Sequence, residues 1–178
     1  MSHPKKPEDV KYIASLFSPE SDLIDLAVGQ LEAICGPVDW TSPELLFDRT
    51  RYYEREMGWP LFRRFVSFEH PASPEDLVEI KLKTNELEKQ HMVKGNRRIN
   101  IDPGYISAER LILATGKNYV HRVYLSQGIY ADLTLIFHKG CFTSLKWTYP
   151  DYADQTAIGF FNDIRQRHMN MIKGVNKT

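Results

Sequence analysis

The chain has 178 residues, with 23 Lys and Arg against 23 Asp and Glu, 42% hydrophobic and 26% charged. This length and make-up predict one ordinary globular domain. They exclude a strongly basic nucleic-acid binder, a disordered chain and a collagen-like repeat. The zero net charge is a sum of unequal halves: residues 1–90 hold 11 basic and 17 acidic side chains, and residues 91–178 hold 12 and 6. Either the two halves attract each other in the fold, or the basic half presents a ligand surface.

Residues 1–10 are polar, with Pro4 and Pro7 and no apolar stretch, and read as a flexible tail without a signal peptide. Residues 11–178 are then a single α+β domain. Cys35 and Cys141 match no metal or disulfide spacing, and no apolar run reaches the roughly 18 residues of a membrane span, so a cytoplasmic protein is expected. The sequon Asn176-Lys177-Thr178 is a chance match in such a protein.

Lys11 to Phe17 reads as a first strand. Ser18-Pro19 reads as an N-cap and first helical residue, and Leu23, Ala27, Leu31 and Ile34 follow at helical spacing up to Gly36-Pro37. Val38 to Phe47 is extended, residues 48–60 form a loop, and Leu61 to Glu69 alternates as a strand. Ser73-Pro74 starts a second helix that runs to about Met92. Arg97 to Asp102 is a short strand, Asp102-Pro103-Gly104-Tyr105 a tight turn, and Ser107 to Gly116 a third, short helix. Three strands follow, Val120–Leu125, Ile129–Phe137 and Cys141–Trp147, and a last helix spans about Gln155 to Ile172. The order up to residue 102 is that of a ferredoxin-like βαββαβ core, extended by a short helix, an antiparallel three-strand meander and a C-terminal helix.

The second helix breaks the amphipathic rule. Asp76, Glu79, Lys83, Glu86 and Gln90 make its solvent face, yet Lys81, Asn85 and Glu88 lie at the centre of the opposite arc. Polar groups there must face a polar cavity or belong to a satisfied network, such as a Lys81–Glu88 bridge, because burying them unpaired costs several kcal/mol. Strand alternation adds Asn100 and Asp102 on one face, Arg122 with Tyr124, and Tyr130 with Asp132 and Thr134. These could bind a phosphate or carboxylate through arginine, or a divalent cation through the carboxylates; alternatively they are the solvated side of an antiparallel sheet. The six histidines show no metal spacing, and His168 falls on the apolar stripe of the last helix. Glu69, His70 and His121 could meet in space. There is no GxxxxGK[ST], no GxGxxG and no GxSxG.

Tyr52-Tyr53 with Glu56-Met57-Gly58, Phe65 with Ser67-Phe68-Glu69, Lys81 with Thr84-Asn85 and Glu88, and Asn100 to Tyr105 together form a familiar pattern. His121-Arg122 with Tyr124, Gly128 to Asp132, and Trp147 to Tyr152 continue it in order over nearly the whole chain. The set resembles an uncharacterised family of bacterial proteins, a domain of unknown function whose members are sometimes labelled "GTP-binding protein". The resemblance implies no activity, and the label has no P-loop in this sequence to rest on.

The residues therefore predict a pocket for a small anionic ligand bearing phosphate or carboxylate. Lys81, Glu88 and Asp102 are its candidate catalytic groups, for transfer or hydrolysis. Asn85, Asn100, Arg122, Tyr124, Tyr130 and Asp132 are its candidate ligand-binding groups, with Glu69 nearby. The other reading is a non-catalytic interaction or homodimerisation module with a buried polar network. In that reading Tyr52, Tyr53, Trp59 and Trp147 serve the partner. No membrane contact is expected, and nucleic acid is a poor fit because Glu54 and Glu56 dilute the basic group at 49–64.

Overall fold

The computed structural model describes residues 3–175; the sequon at 176–178 lies outside them. In chain order the elements are β1 (Lys11–Ser18), α1 (Ser21–Cys35), β2 (Val38–Thr41), β3 (Leu45–Leu46), α2 (Glu54–Met57), β4 (Phe62–Phe68), α3 (Leu77–Gln90), β5 (Asn100–Ile106), β6 (Arg110–Thr115), β7 (Arg122–Ser126), β8 (Ile129–His138), β9 (Cys141–Ser144) and α4 (Gln155–Val175). The fold is α+β, four helices with one open nine-stranded sheet whose neighbours are all antiparallel. The strand order is β2-β4-β1-β5-β6-β8-β7, with β3 beside β4 and β9 beside β8.

β1 is buried along its whole length because the sheet is covered on both faces. Tyr12, Ala14 and Leu16 pack with Ile24, Ala27 and Leu31 of α1 and with Leu77, Ile80 and Leu87 of α3. On the other side, Ile13, Phe65 and Leu113 meet Ala157, Ile158, Phe161 and Ile164 of α4. A third cluster, Phe17, Phe47, Met57 and Leu61, closes the end of β1 under the 47–61 segment. His168 is buried in the α4 face, and burial together with the nearby Lys11 charge holds its pKa below the ordinary value. Val10, at the end of the expected tail, is already buried and bridges to Ala72.

The expected loop at 48–60 contains a single helical turn, α2, and four further expectations need correction. Residues 107–116 are not a helix: the Ser107 hydroxyl accepts the Glu109 and Arg110 amides in a turn, and Arg110–Thr115 forms β6 between β5 and β8. Its run Leu111 to Ala114 is buried throughout, and a strand covered on both faces has the same continuous apolar pattern as a buried helix. Asp102-Pro103-Gly104-Tyr105 is not a turn but the middle of β5. The three late strands do not form a simple meander, since β7 and β9 lie end to end along one edge of β8 and β6 takes the other. Finally, α1 begins at Ser21 and its N-cap has no side-chain bond; the Ser18 hydroxyl instead accepts the Glu20 amide and donates to the Arg98 carbonyl. The second start signal holds, with the Ser73 hydroxyl accepting the Glu75 amide and Pro74 opening the turn that leads into α3.

Between β5 and β6 the sheet splits. The two strands pair only over Gly104–Ile106 and Leu111–Leu113, and Asn100–Pro103 has no partner on that side. The cause lies in the sequence. Alternation along β5 points the main-chain groups of residues 101, 103 and 105 toward β6, and Pro103 has no N–H to give. At the last point of contact the strands crowd: a Cβ on Gly104 would lie 2.3 Å from the Ile112 carbonyl oxygen. Glycine permits the close approach, and proline ends it.

Candidate functional site

The split would leave the amide and carbonyl of Ile101 unpaired in the interior, and α3 satisfies both. The Lys81 ammonium donates to the Ile101 carbonyl at 2.9 Å, and the Glu88 carboxylate accepts the Ile101 amide at 2.6 Å. Two helical side chains thus replace the missing strand. Burial pushes the Glu88 pKa up, against the pull of the Lys81 charge and the Ile101 amide.

A cavity of about 750 Å³ opens at this split, within the range of small-molecule sites. Lys81, Asn85 and Glu88 reach it from α3, Asn100 and Asp102 from β5, and Arg122 and Asp132 from β7 and β8. Seven of the nine predicted side chains therefore line one space. Lys81 Nζ lies 3.8 Å from Asp102 Oδ1, and the Asn100 amide donates to Asp102 Oδ2 at 2.8 Å.

Tyr124 and Tyr130 do not line it. They face each other across the β7–β8 ladder, ring centroids 5.2 Å apart, with Tyr124 largely exposed. The grouping of Glu69 with the site also fails, because Glu69 follows the far end of β4, where its amide bonds Pro37 and its carbonyl accepts from Lys11. Nor do Glu69, His70 and His121 meet: His70 lies beside Gly36, whereas His121 stacks on Trp147 with Nε2 3.4 Å from Asp132.

Several arginines of the lining are structural ties. Arg97 makes a two-pronged bond to Glu56, 2.7 and 2.8 Å, and a third to Asn100. Hydrogen bonding to Glu56 raises the Arg97 pKa, and the same bond holds the Glu56 carboxyl below its ordinary range. Arg122 donates to Asp132 at 2.8 Å, to the Lys117 carbonyl at 2.9 Å and to the Tyr149 hydroxyl at 3.3 Å. It staples three segments of the wall together and is less free to grip a ligand than its sequence position suggests. Arg63, buried beneath Phe47 at 4.1 Å from the ring centroid, is tied to Asp151.

Six Lys and Arg side chains and four Asp and Glu side chains line the cavity, leaving two positive charges in excess. Among the described residues, the two cations of the lining with no carboxylate at hydrogen-bond distance are Lys81 and Lys117. Lys117 stands 5.4 Å over the ring of Tyr52. The four lining carboxylates differ as well: the Asp102 side chain is 33% exposed, against 9% for Glu88, 8% for Asp132 and 13% for Asp151. Asp102 is thus the carboxylate a cavity molecule can reach.

Sequence reasoning missed Arg63, Lys117, Tyr149 and Tyr152. Arg63 had a signal, since alternation through Arg63, Phe65 and Ser67 puts it on a buried face of β4. The others lie in irregular segments with no periodicity to read. Among the described residues there is no group of three or more His, Cys, Asp or Glu arranged to hold a metal, and no helix is long and apolar enough to cross a membrane.

No curated protein and no solved structure matches the chain. The polar residues of the split nevertheless fall inside a single stretch, residues 8–168, that matches a family described as a domain of unknown function, DUF4416, and the chain belongs to that family.

Proposed function

We propose that this protein binds a small anionic ligand, bearing phosphate or carboxylate, in the cavity at the β5–β6 split. The observation that carries this is the pair of lysines facing one positively biased space, Lys81 with a single hydrogen bond and Lys117 with no ion pair among the described residues. An ammonium has three donors, and a polar cavity wall leaves the rest for solvent or ligand. Asp102, the reachable carboxylate beside Lys81, is the group on which transfer or hydrolysis at a phosphate or carboxyl would turn. Glu88 is a poorer candidate, because the Ile101 amide already occupies it. A P-loop type of nucleotide site is not part of this reading, since no glycine-rich cradle is present. The free thiols of Cys35 and Cys141 support a reducing, cytoplasmic setting, and the order β2-β4-β1-β5 supports a ferredoxin-like origin for the first half.

A thermal-shift screen with inorganic phosphate, sugar phosphates, carboxylic acids, nucleotides and divalent cations tests the reading. A saturable rise in Tm with an anion is expected, by mass action, and Lys117→Ala should reduce it. No shift with any anion in the panel overturns it.

The exposed edge of the sheet favours a second reading, homodimerisation. Of the aromatics first considered, Tyr53 packs against Phe17 and Trp59 lies under Arg51, whereas Tyr52 and Trp147 are exposed. Along that edge, Val123 and Tyr124 are 66% and 57% exposed on β7, the last strand in the sheet order, and Val120, just before the strand, is 91% exposed. Edge strands of this kind pair with other strands unless charge prevents it. Between Asn118 and Gly128 the one Lys or Arg is Arg122, which Asp132 neutralises, so a second copy of β7 would meet no like charge. Light scattering should show a dimer that Val123→Lys dissociates; a monomer at high concentration rejects the reading.

A further inference from the structure

The reading of an anion site leaves one juxtaposition unexplained. A site built for an anion alone would not place a reachable carboxylate 3.8 Å from its buried ammonium, because Asp102 repels the charge that Lys81 attracts. Asp102 Oδ2 is used by Asn100, while Oδ1 has Lys81 beyond hydrogen-bond distance and no other partner among the described residues. The pair is therefore an open acceptor beside open donors. That combination suits neighbouring hydroxyls, one donating to the carboxylate while another accepts from the ammonium. Tyr52 and Tyr149, both well exposed, and Lys117 stand at the rim, where aromatic faces can cover the C–H face of a ring. Lys117 is there too, away from any ion pair, to take a negative group.

We propose that the ligand is an anionic polyol, a sugar phosphate or sugar acid. Its hydroxyls sit at Lys81 and Asp102, and its charged group lies at the rim on Lys117. This rests on the anion-binding reading above and narrows its substrate class. The cavity volume of about 750 Å³ accommodates a monosaccharide derivative with solvent to spare.

Calorimetric titration of the full chain against a series of probes tests it. The series pairs hexose and pentose phosphates and sugar acids with their uncharged sugars, and with methyl phosphate and acetate as anions lacking hydroxyls. A phosphate or an acid winning within the series identifies the source of the negative group. The expected result is that at least one anionic polyol binds at least about tenfold tighter than either its sugar or the matching simple anion, the scale of one hydrogen bond to a charged group. Asp102→Asn, which keeps an acceptor for Asn100, should abolish that advantage, while methyl phosphate and acetate, relieved of the carboxylate's repulsion, bind at least as tightly as before. Lys117→Ala should weaken polyol anions and simple anions alike. An unchanged urea midpoint for each variant confirms that the fold is kept, and Asp102→Ser repeats the test should Asp102→Asn unfold. Simple anions binding as tightly as every anionic polyol, or Asp102 variants with an unaltered preference, overturn the polyol assignment while the anion reading stands. If no anion of either kind binds, the anion reading fails and this inference with it.

Discussion

Glu56 and Glu88 share Arg97 but titrate in opposite senses, and the difference follows from where each carboxylate sits. Glu56 meets the guanidinium fork near the surface, so hydrogen bonding lowers its pKa; Glu88 is sunk against β5, so burial raises it. For Glu56 the folded state holds the proton less tightly than the unfolded chain. Its stabilisation is present above the unfolded value of about 4.3 and is lost as pH falls through the lower folded value. For Glu88 the folded state binds the proton more tightly, so stability falls as pH rises from about 4.3 through the raised folded value. Urea midpoints between pH 4 and pH 8 should accordingly show Glu88→Gln gaining on the wild type as pH rises, and Glu56→Gln losing ground over the same range. Gly104 is decided by space: Gly104→Ala forces a methyl toward the Ile112 carbonyl and should cost on the order of 1–3 kcal/mol, read from the urea midpoint.

At the scale of elements, helix α3 was the most legible part of the site. Its stripe of Lys81, Asn85 and Glu88 stood out because charge at the centre of an apolar arc has no cheap explanation, and the structure turns that arc onto the open edge of β5. Strands β1 and β4 were equally readable, and alternation grouped Arg122 with Tyr124 and Tyr130 with Asp132, while the register that sets Arg122 opposite Asp132 and Tyr124 opposite Tyr130 was visible only in the structure. The split itself was not. Pro103-Gly104 carries the local signature of a turn, and only the neighbouring strands make it a strand interior. Lys117 and Tyr149 were out of reach for a related reason, since loops from opposite ends of the second half meet there through topology. Pro103→Val tests whether proline keeps the gap open. Restoring an amide toward β6 should extend the ladder to Ala114, raise or preserve the Tm of the free protein, and diminish its ligand-induced shift. An unchanged shift would show that α3 alone holds the strands apart.

Across the whole molecule, the acidic and basic halves meet within one chain, and much of their meeting is at the cavity. Arg97 with Glu56 and Glu88 joins a cation of the basic half to carboxylates of the acidic half, whereas Arg63 with Asp151 and Lys81 with Asp102 run the other way, from cations of the acidic half to carboxylates of the basic half. At the surface, Arg98 with Glu20 follows the first sense and Arg49 with Asp154 the second. Helix α4 closes the opposite face, and its stability can be measured apart from the site. Phe161→Ala, a truncation against Phe65 and Tyr152, should cost about 3–5 kcal/mol in urea unfolding. The bonds from α3 to Ile101 have a mechanical result. A helix that grips both the amide and the carbonyl of one strand residue, with Leu77, Ile80 and Leu87 packed in the core, is held in register on that strand. Ile101 is in that sense a locating pin, and a molecule that took Lys81 for itself would have to give the Ile101 carbonyl another donor.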